Sequence, residues 1–371
     1  MPLLTIIKRS LYYVGAQNQT VCFLDLKAND VYKRRVMCYG ASESTNATDD
    51  LSMGLKKMVH DIKKVLVTGG AGFIGSHLVD ALVDRKCDVG VVDNLSGGSL
   101  SNLEHLKGRI DFCKGDIRDV DAMKRMANGC DTIFHLAAMV SVPQTVEDPV
   151  LSSSVNDTGT LMVLEAARQA DVSRVVLSSS CAVYGDDPQV PKNENMNLKP
   201  QSPYAVQKLT NELYAGLYAE LYGLETVCLR YFNVYGPRQD PSSPYSGVIS
   251  IFMTRAAEKA KPVIYGDGNQ YRDFVFVKDV VQANLNAALA QDASGEIFNI
   301  GSGQYVRIND LWQRIAGLAN VNMTPEYQNY RAGDILESVA DIKKASKGLG
   351  FTPAYGFEEG LKITYDWYRS Q

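Results

Sequence analysis

Val65-Leu66-Val67-Thr68-Gly69-Gly70-Ala71-Gly72-Phe73-Ile74-Gly75 is the stretch on which the fold turns. Its short β-branched run, Val65-Leu66-Val67, has the character of a strand buried in a parallel sheet. The run breaks into glycines, and then Ile74, Leu78, Ala81 and Leu82 recur at the spacing of one helical face. Strand, glycine turn and helix in that order make a dinucleotide loop. Gly69, Gly72 and Gly75 divide its labour: a tight turn, close approach of backbone to a pyrophosphate, and close packing of helix on strand. Phe73 and Ile74 open the helix, whose amide groups and positive dipole end face the phosphates. About 20 residues on, as such loops require, Val89-Gly90-Val91-Val92 ends in Asp93. A carboxylate there accepts both hydroxyls of an adenosine ribose and repels a 2′-phosphate, which favours NAD over NADP.

From Lys63 onward strands and helices alternate, which predicts an α/β fold with a Rossmann-like, doubly wound parallel sheet. A third strand, Ile110 to Lys114, leads into Gly115-Asp116-Ile117-Arg118, where Asp116 can take an adenine amino group. A fourth, Thr132 to Ala138, carries Leu136, Ala137 and Ala138 at its carboxyl end, small enough there for cofactor and sheet to meet. His135 in that strand reads as structural. A helix runs from about Asn156 through Leu161, Leu164 and Ala167, and a fifth strand, Arg174 to Leu177, ends in Ser178-Ser179-Ser180. Tyr204 to Tyr222 is helical in pattern, and Glu225 to Phe232 is another strand. Beyond Tyr235-Gly236-Pro237 the alternation loosens at Pro237, Pro241 and Pro244, and a smaller lobe is expected. Helix Lys278 to Ala290 and strand Ile297 to Ile300 then return to the sheet. The expected division is an NAD-binding domain over 62–235, rejoined by 275–300, with a substrate lobe made of 236–274 and 301–371.

Residues 1–57 do not share this pattern. Leu3, Leu4, Ile6 and Ile7 form too short an apolar run for a signal-peptide core and stop at Lys8-Arg9. Tyr12 to Leu26 has room for a strand or two, and Ala41 to Asp50 reads as a polar linker. An accessory extension is expected, or an early start codon with Met53 or Met58 as the functional beginning. A docking arm using Lys33-Arg34-Arg35 is the sharper alternative.

Across the 371 residues, 45% are hydrophobic and 22% charged, the balance of an ordinary globular protein. A net charge of −4 invites neither nucleic acid nor an anionic membrane. The seven cysteines are scattered without a CxxC pair, as expected of reduced thiols in a cytoplasmic protein. The four histidines lack the spacing of a zinc site, so no metal is expected, and no apolar run reaches membrane-spanning length.

Tyr204-Ala205-Val206-Gln207-Lys208 sets a phenol and an ammonium one helical turn apart, on the same face. A charge about 5 Å away is worth roughly 3 kcal/mol at an effective dielectric of 20. That lowers a phenol by about two units from its ordinary value near 10. With an oxidised nicotinamide adding positive charge, Tyr204 is expected close to neutrality, while Lys208 also bonds the nicotinamide ribose. Ser180, at the carboxyl end of a strand, can bridge a substrate oxygen and Tyr204. Together these three make a hydride-transfer site.

With these residues in place the chain resembles the extended short-chain dehydrogenase/reductase family over about residues 62–368. It is most similar there to the UDP-hexose 4-epimerases. The matching pieces are Ser178-Ser179-Ser180-Cys181-Ala182-Val183-Tyr184-Gly185, Arg230-Tyr231-Phe232-Asn233-Val234-Tyr235-Gly236-Pro237, Gly266-Asp267-Gly268 with Arg272-Asp273-Phe274, and Arg331-Ala332-Gly333-Asp334. The resemblance implies catalysis by Ser180, Tyr204 and Lys208. It implies NAD held by Gly69, Gly72, Phe73, Ile74, Gly75, Asp93, Asn94, Asp116, Ile117, Leu136, Ala137, Ala138, Tyr204 and Lys208. A UDP-sugar would meet Ser141, Ser180, Tyr204, Asn233, Val248, Tyr265, Arg272, Arg331, Asp334 and Ser338. Arg272 and Arg331 suit a diphosphate, Asn233 can donate to it, Tyr265 can stack on uracil, and Asp334 can hold a ribose hydroxyl or orient Arg331. The reaction implied is inversion at C4 through a 4-keto sugar, with no net use of cofactor. Cys181-Ala182 stands where a 4,6-dehydratase carries an acid/base pair, and Cys181 reads as packing. A uronate 4-epimerase or decarboxylase needs a carboxylate clamp, for which Arg238 is the candidate. A non-catalytic NAD-binding scaffold is the remaining alternative. Ser338 leaves room for an N-acetyl group, which favours UDP-GlcNAc/UDP-GalNAc with UDP-Glc/UDP-Gal as a second pair. A homodimer is expected through Asn156–Arg168 and Tyr204–Tyr222, with Leu209, Leu213, Leu217 and Leu221 as its seam.

Overall fold

Side chains alternate along a strand, so Val65 and Val67 of β4 (Lys64–Thr68) face one side of the sheet and Leu66 the other, all three without exposed surface. On one side β4 pairs with β5 (Asp88–Asp93), which carries β6 (Asp111–Lys114). On the other it pairs with β7 (Thr132–His135), followed by β8 (Arg174–Ser180), β9 (Glu225–Tyr231) and β14 (Glu296–Ile300). All seven strands are parallel. The strand order reverses between β4 and β7, and the crevice at the carboxyl ends there is where such sheets take ligands.

Parallel strands are buried on both faces because their crossover helices cover both. Val65, Val67, Val89 and Val91 pack with Leu78, Val79 and Leu82 of α1 (Phe73–Asp84) and with Val280, Ala283 and Ala287 of α8 (Val277–Leu289). Leu66, Val92, Ile133 and Val175 pack on the opposite face. Their partners there are Met123 of α2 (Val120–Ala127), Leu164 of α5 (Gly159–Gln169) and Ala215 of α6 (Pro203–Tyr222). Arg174, fully buried where β8 begins, donates Nη1 to the carbonyls of Ala287, Ala288 and Ala290 at the end of α8. Its Nε and Nη2 bind Glu225 of β9. Helix-end carbonyls that lack intrahelical partners are thereby satisfied.

The cap has its own core: Tyr235 of β10 (Asn233–Tyr235), Phe252 of α7 (Val248–Ala257), Ile264 of β11 (Val263–Tyr265), Phe274 and Phe276 of β13 (Phe274–Phe276), Trp312 of α9 (Ile308–Ala319) and Leu361 of α11 (Phe357–Arg369). Beside it, β12 (Tyr271–Arg272) pairs with β15 (Val306–Arg307) and β17 (Glu337–Ser338), and β11 with β16 (Glu326–Gln328). Helix α10 (Lys343–Leu349) returns to the sheet core through Ala345 and Leu349.

The structure is a computed structural model that describes residues 62–240, 247–330 and 336–371 and three earlier strands. The chain divides into two units, Met1–Met58 and Val59–Gln371. In the first, β1 (Leu11–Tyr12), β2 (Val21–Leu24) and β3 (Val36–Tyr39) pair antiparallel in that order. The sequence pattern anticipates strands near β1 and β2 but not β3. Lys33-Arg34-Arg35 and the 41–50 segment lie outside the described residues.

Of the elements that differ from their expected bounds, two have a cause visible in the structure. Strand β7 stops at His135 rather than Ala138, because the chain there crosses the glycine turn: a Cβ on Gly69 would stand 2.7 Å from the Ala137 nitrogen. The helix expected from about Asn156 is continuous with α4 (Pro149–Ser153) through a wider π turn, Ser154–Thr158. Asn156 on that turn is drawn inward, donating to the Met139 carbonyl and to Gln207 while accepting from the Met139 amide. Such bulges accompany functional sites.

Candidate active site

The glycine turn is a close fit on two sides and open on the third. Gly69 has φ +70°, which favours glycine. A Cβ on Gly75 would lie 2.1 Å from the Gly69 carbonyl oxygen, so α1 can sit this near the turn only without a side chain. Gly72 precedes α1 as its N-cap, provides no side-chain cap, and no acidic residue stands in the first turn. A helix end of this kind suits a phosphate. Phe73 and Ile74 of that turn pack against the cap core. Asp93, 7% exposed, accepts the Ala71 amide at Oδ2 and the Leu95 amide at Oδ1, which braces the carboxylate beside the turn. A cradle that a Cβ would fill, beside a carboxylate at the end of β5, fits a dinucleotide.

The adenine side is more heavily tied than the sequence suggests. Asp116 takes a bidentate pair from Arg118 and a bond from Asn94 Nδ2, and the Arg118 hydrogen bonds hold its carboxyl well below the usual range. Ile117 is buried in the core, where Gly159 leaves it room. Leu136, Ala137 and Ala138 lie partly buried just past β7. His135 is enclosed between the hydroxyls of Thr68 and Thr160, and burial pulls it down to about 3, so it is a neutral structural group.

Ser202 caps α6 through the Ala205 amide and Pro203 opens its first turn, so Tyr204 and Lys208 ride on a well-anchored helix. The Ser180 hydroxyl accepts from the Ala182 amide and lies beside the Tyr204 phenol. Lys208 Nζ donates to the Ser178 carbonyl at 2.8 Å and stands 5.8 Å from the centre of the Tyr204 ring. The lowering expected of Lys208 together with an oxidised nicotinamide is not what the chain's own residues give. Burial pushes the phenol up to about 12, with the neighbouring Ser180 hydroxyl pulling back. Burial also brings Lys208 down to about 8, against the opposing influence of Cys228 and Glu212. Desolvation disfavours both charged forms.

A cavity of about 390 Å³ in the cap brings together Asn233, Val248, Tyr265 and Arg272. Asn233 Nδ2 donates to the Asp273 carbonyl, and Arg272 Nη1 to those of Tyr271 and Leu336. Arg255 and Gln270 line the same cavity, and sequence reasoning missed both. A signal existed for Arg255: with Val248, Ile251 and Phe252 it completes an i, i+3, i+4, i+7 face on α7. Ser338 lies buried opposite Arg272 in the β12–β17 pairing and beside Cys181, whose thiol burial pushes up to about 11. Cys181 therefore packs, and does so next to Ser338. Ser141, 8% exposed, caps α3 (Val142–Glu147) by accepting from the Gln144 amide. Arg331 and Asp334 lie outside the described residues. Arg238, the candidate carboxylate clamp, stands 2.8 Å from Asp80 of α1. Among the described residues no cluster of His, Cys, Asp or Glu could hold a metal ion, and no helix is long and apolar enough to cross a membrane.

A sequence model of the NAD dependent epimerase/dehydratase family matches residues 65–301. A UDP-glucose 4-epimerase from Mycolicibacterium smegmatis is 39% identical over 312 residues, 83% of this chain and 99% of that protein. A solved UDP-N-acetylglucosamine 4-epimerase from Methanobrevibacter ruminantium, in complex with UDP-N-acetylmuramic acid, is 41% identical with a TM-score of 0.81, covering 84% of this chain and 99% of that one. A Thermus thermophilus UDP-glucose 4-epimerase complexed with NAD is 38% identical with a TM-score of 0.75, covering 82% and 99%.

Proposed function

The chain belongs to the NAD dependent epimerase/dehydratase family, and from that premise we propose that it inverts C4 of a UDP-hexose. The observation that carries this is the gathering of Ser180, at the carboxyl end of β8, beside Tyr204 of α6, with Lys208 one turn along the same helix and fastened to the Ser178 carbonyl. NAD, when bound in the glycine cradle, supplies the acceptor and donor of the C4 hydride. Tyr204 removes the proton of the 4-hydroxyl while Ser180 shares it, and the same pair returns a proton to the 4-keto sugar once its other face is presented. Lys208, anchored on Ser178, holds positive charge beside the phenol. Asn233, Arg255 and Arg272 on the cavity wall grip the diphosphate, and Tyr265 stacks on the uracil. A firm hold on the nucleotide leaves the hexose free to turn over, which inversion without release requires.

The neutral sugars UDP-GlcNAc/UDP-GalNAc are the favoured pair, with UDP-Glc/UDP-Gal second, because Ser338 is a small side chain. A uronate substrate is disfavoured, since Arg238 is already engaged by Asp80. The protein works as a homodimer in the cytoplasm. Supporting the dimer, α6 exposes Leu213, Leu217 and Leu221, and Val146 and Val150 are exposed on α3 and α4, which pack against α6. Leu209 leaves that seam, packing instead beside Tyr184 and Phe232.

Incubation with each of UDP-GlcNAc, UDP-Glc and UDP-glucuronate, with products resolved by chromatography, tests the assignment. The first two should give their 4-epimers, and Tyr204→Phe should lower turnover by at least about 100-fold while retaining NAD. A product of elimination or decarboxylation, or a Tyr204→Phe protein as active as the parent, would refute it.

A further inference from the structure

Ser178, Ser179 and Ser180 each meet a different residue of α6. Ser178 is held by Lys208 and Ser180 lies beside Tyr204, both parts of the chemistry described above. Ser179 is held by Glu212, one further turn along the same helix. Its hydroxyl donates to Glu212 Oε1 at 2.5 Å, and the carboxylate is 4% exposed.

Glu212 is itself fixed from the far side. Arg230 of β9, 2% exposed, donates Nε to Oε1 at 2.8 Å and Nη2 to Oε2 at 2.7 Å. Arg230 Nη1 donates to the Tyr184 hydroxyl, which donates to Asn299 Oδ1 of β14. The carboxylate thus rests in a buried frame built from β9, β14 and the Cys181–Tyr184 turn that follows Ser180. A buried ion pair is weak evidence for stability, because desolvation offsets its attraction. What this pair gains beyond itself is a rigid acceptor beside the reacting hydroxyl's neighbour.

We propose that Glu212 is a positioning residue for the reaction, holding Ser179 so that Ser180 stays in register with the Tyr204 phenol. This rests on the epimerase assignment above. Ser180 is the next residue on the strand, so freedom at Ser179 passes directly into the Ser180 hydroxyl. The charged or titratable groups facing Glu212 are Arg230, Lys208 on its own helix and Cys228 of β9. Those facing Tyr204 are Lys208 and Cys181.

Ser179→Ala removes the clamp and leaves the Glu212–Arg230 pair intact, so the fold is spared. In the full chain it should lower kcat roughly 10- to 100-fold, the range of one hydrogen bond to a charged group, with KM for the UDP-sugar within about twofold. It should also move the ascending limb of the kcat–pH profile upward by roughly one unit, because a phenol released from Ser180 gives up its proton less readily. Ser179→Thr, which keeps the hydroxyl, should restore both. Independently of turnover, the phenolate absorbance titration, taken as a difference from the matching Tyr204→Phe protein, should show the same upward shift in Ser179→Ala. An unmoved titration midpoint overturns the positioning role, as does equal impairment of the Ala and Thr variants, which would trace the loss to packing. Inactivity of the parent on every UDP-sugar with the titration shift still present would instead overturn the epimerase assignment.

Discussion

His135 shows how one buried ring sets an acid limit on the fold. Enclosed between two threonine hydroxyls, it stays neutral down to about 3, whereas an unfolded histidine takes up a proton near 6.5. Between those values the unfolded chain binds more protons, so stability falls as pH falls, by about 1.4 kcal/mol for each unit once below 6. Urea unfolding at pH 7, 6 and 5 should show this slope, and His135→Asn should flatten it. His77, brought down to about 4 by burial, leaves a residual slope of the same sign. Parallel curves for parent and variant would remove His135 from the account. At this scale the sequence was informative about identity and poor about environment. Ser180, Tyr204 and Lys208 are legible because a one-turn spacing and a strand end can be counted along the chain. The phenol's upward shift is not, because desolvation depends on everything packed around Tyr204. Asp116 is a nearer miss, since its partner Arg118 is only two residues away.

The glycine turn is the element whose geometry is least forgiving. A methyl on Gly75 would stand 2.1 Å from the Gly69 carbonyl oxygen, and no rotamer relieves a backbone contact. Gly75→Ala should push α1 off β4, at a cost of about 1–3 kcal/mol, and the protein should purify without NAD. Nucleotide released on denaturation and measured by chromatography checks this, and a normal NAD content would contradict it. Elements such as β4, α1 and α6 were legible because their signal, the period of their apolar residues, is local. The early end of β7 was not, because what stops it is Gly69, more than sixty residues earlier. The π turn at Asn156 escaped for the same reason, its cause lying in Met139 and Gln207.

On the scale of the whole molecule, α6 presents an apolar surface on which Leu213, Leu217 and Leu221 are 63%, 46% and 63% exposed. Contiguous apolar area of this kind marks an association site. On the proposed dimer, the combined substitution Leu213→Glu and Leu217→Glu should give a protein that sediments as a monomer and still holds NAD, and an unchanged sedimentation coefficient would argue against pairing through this face. The i, i+4 stripe was readable beforehand, but the departure of Leu209 from it was not, since that depends on where Tyr184 and Phe232 sit. Arg174 has a larger consequence. It latches β8, β9 and the tail of α8 together at the amino rim of the sheet, while Ser180, Asp93 and the glycine turn gather along the carboxyl rim. Durability and reactivity are thereby lodged at opposite margins of one slab. Lineages descending from such a scaffold are free to retailor the working margin for new sugars while the fastening on the other stays as it is.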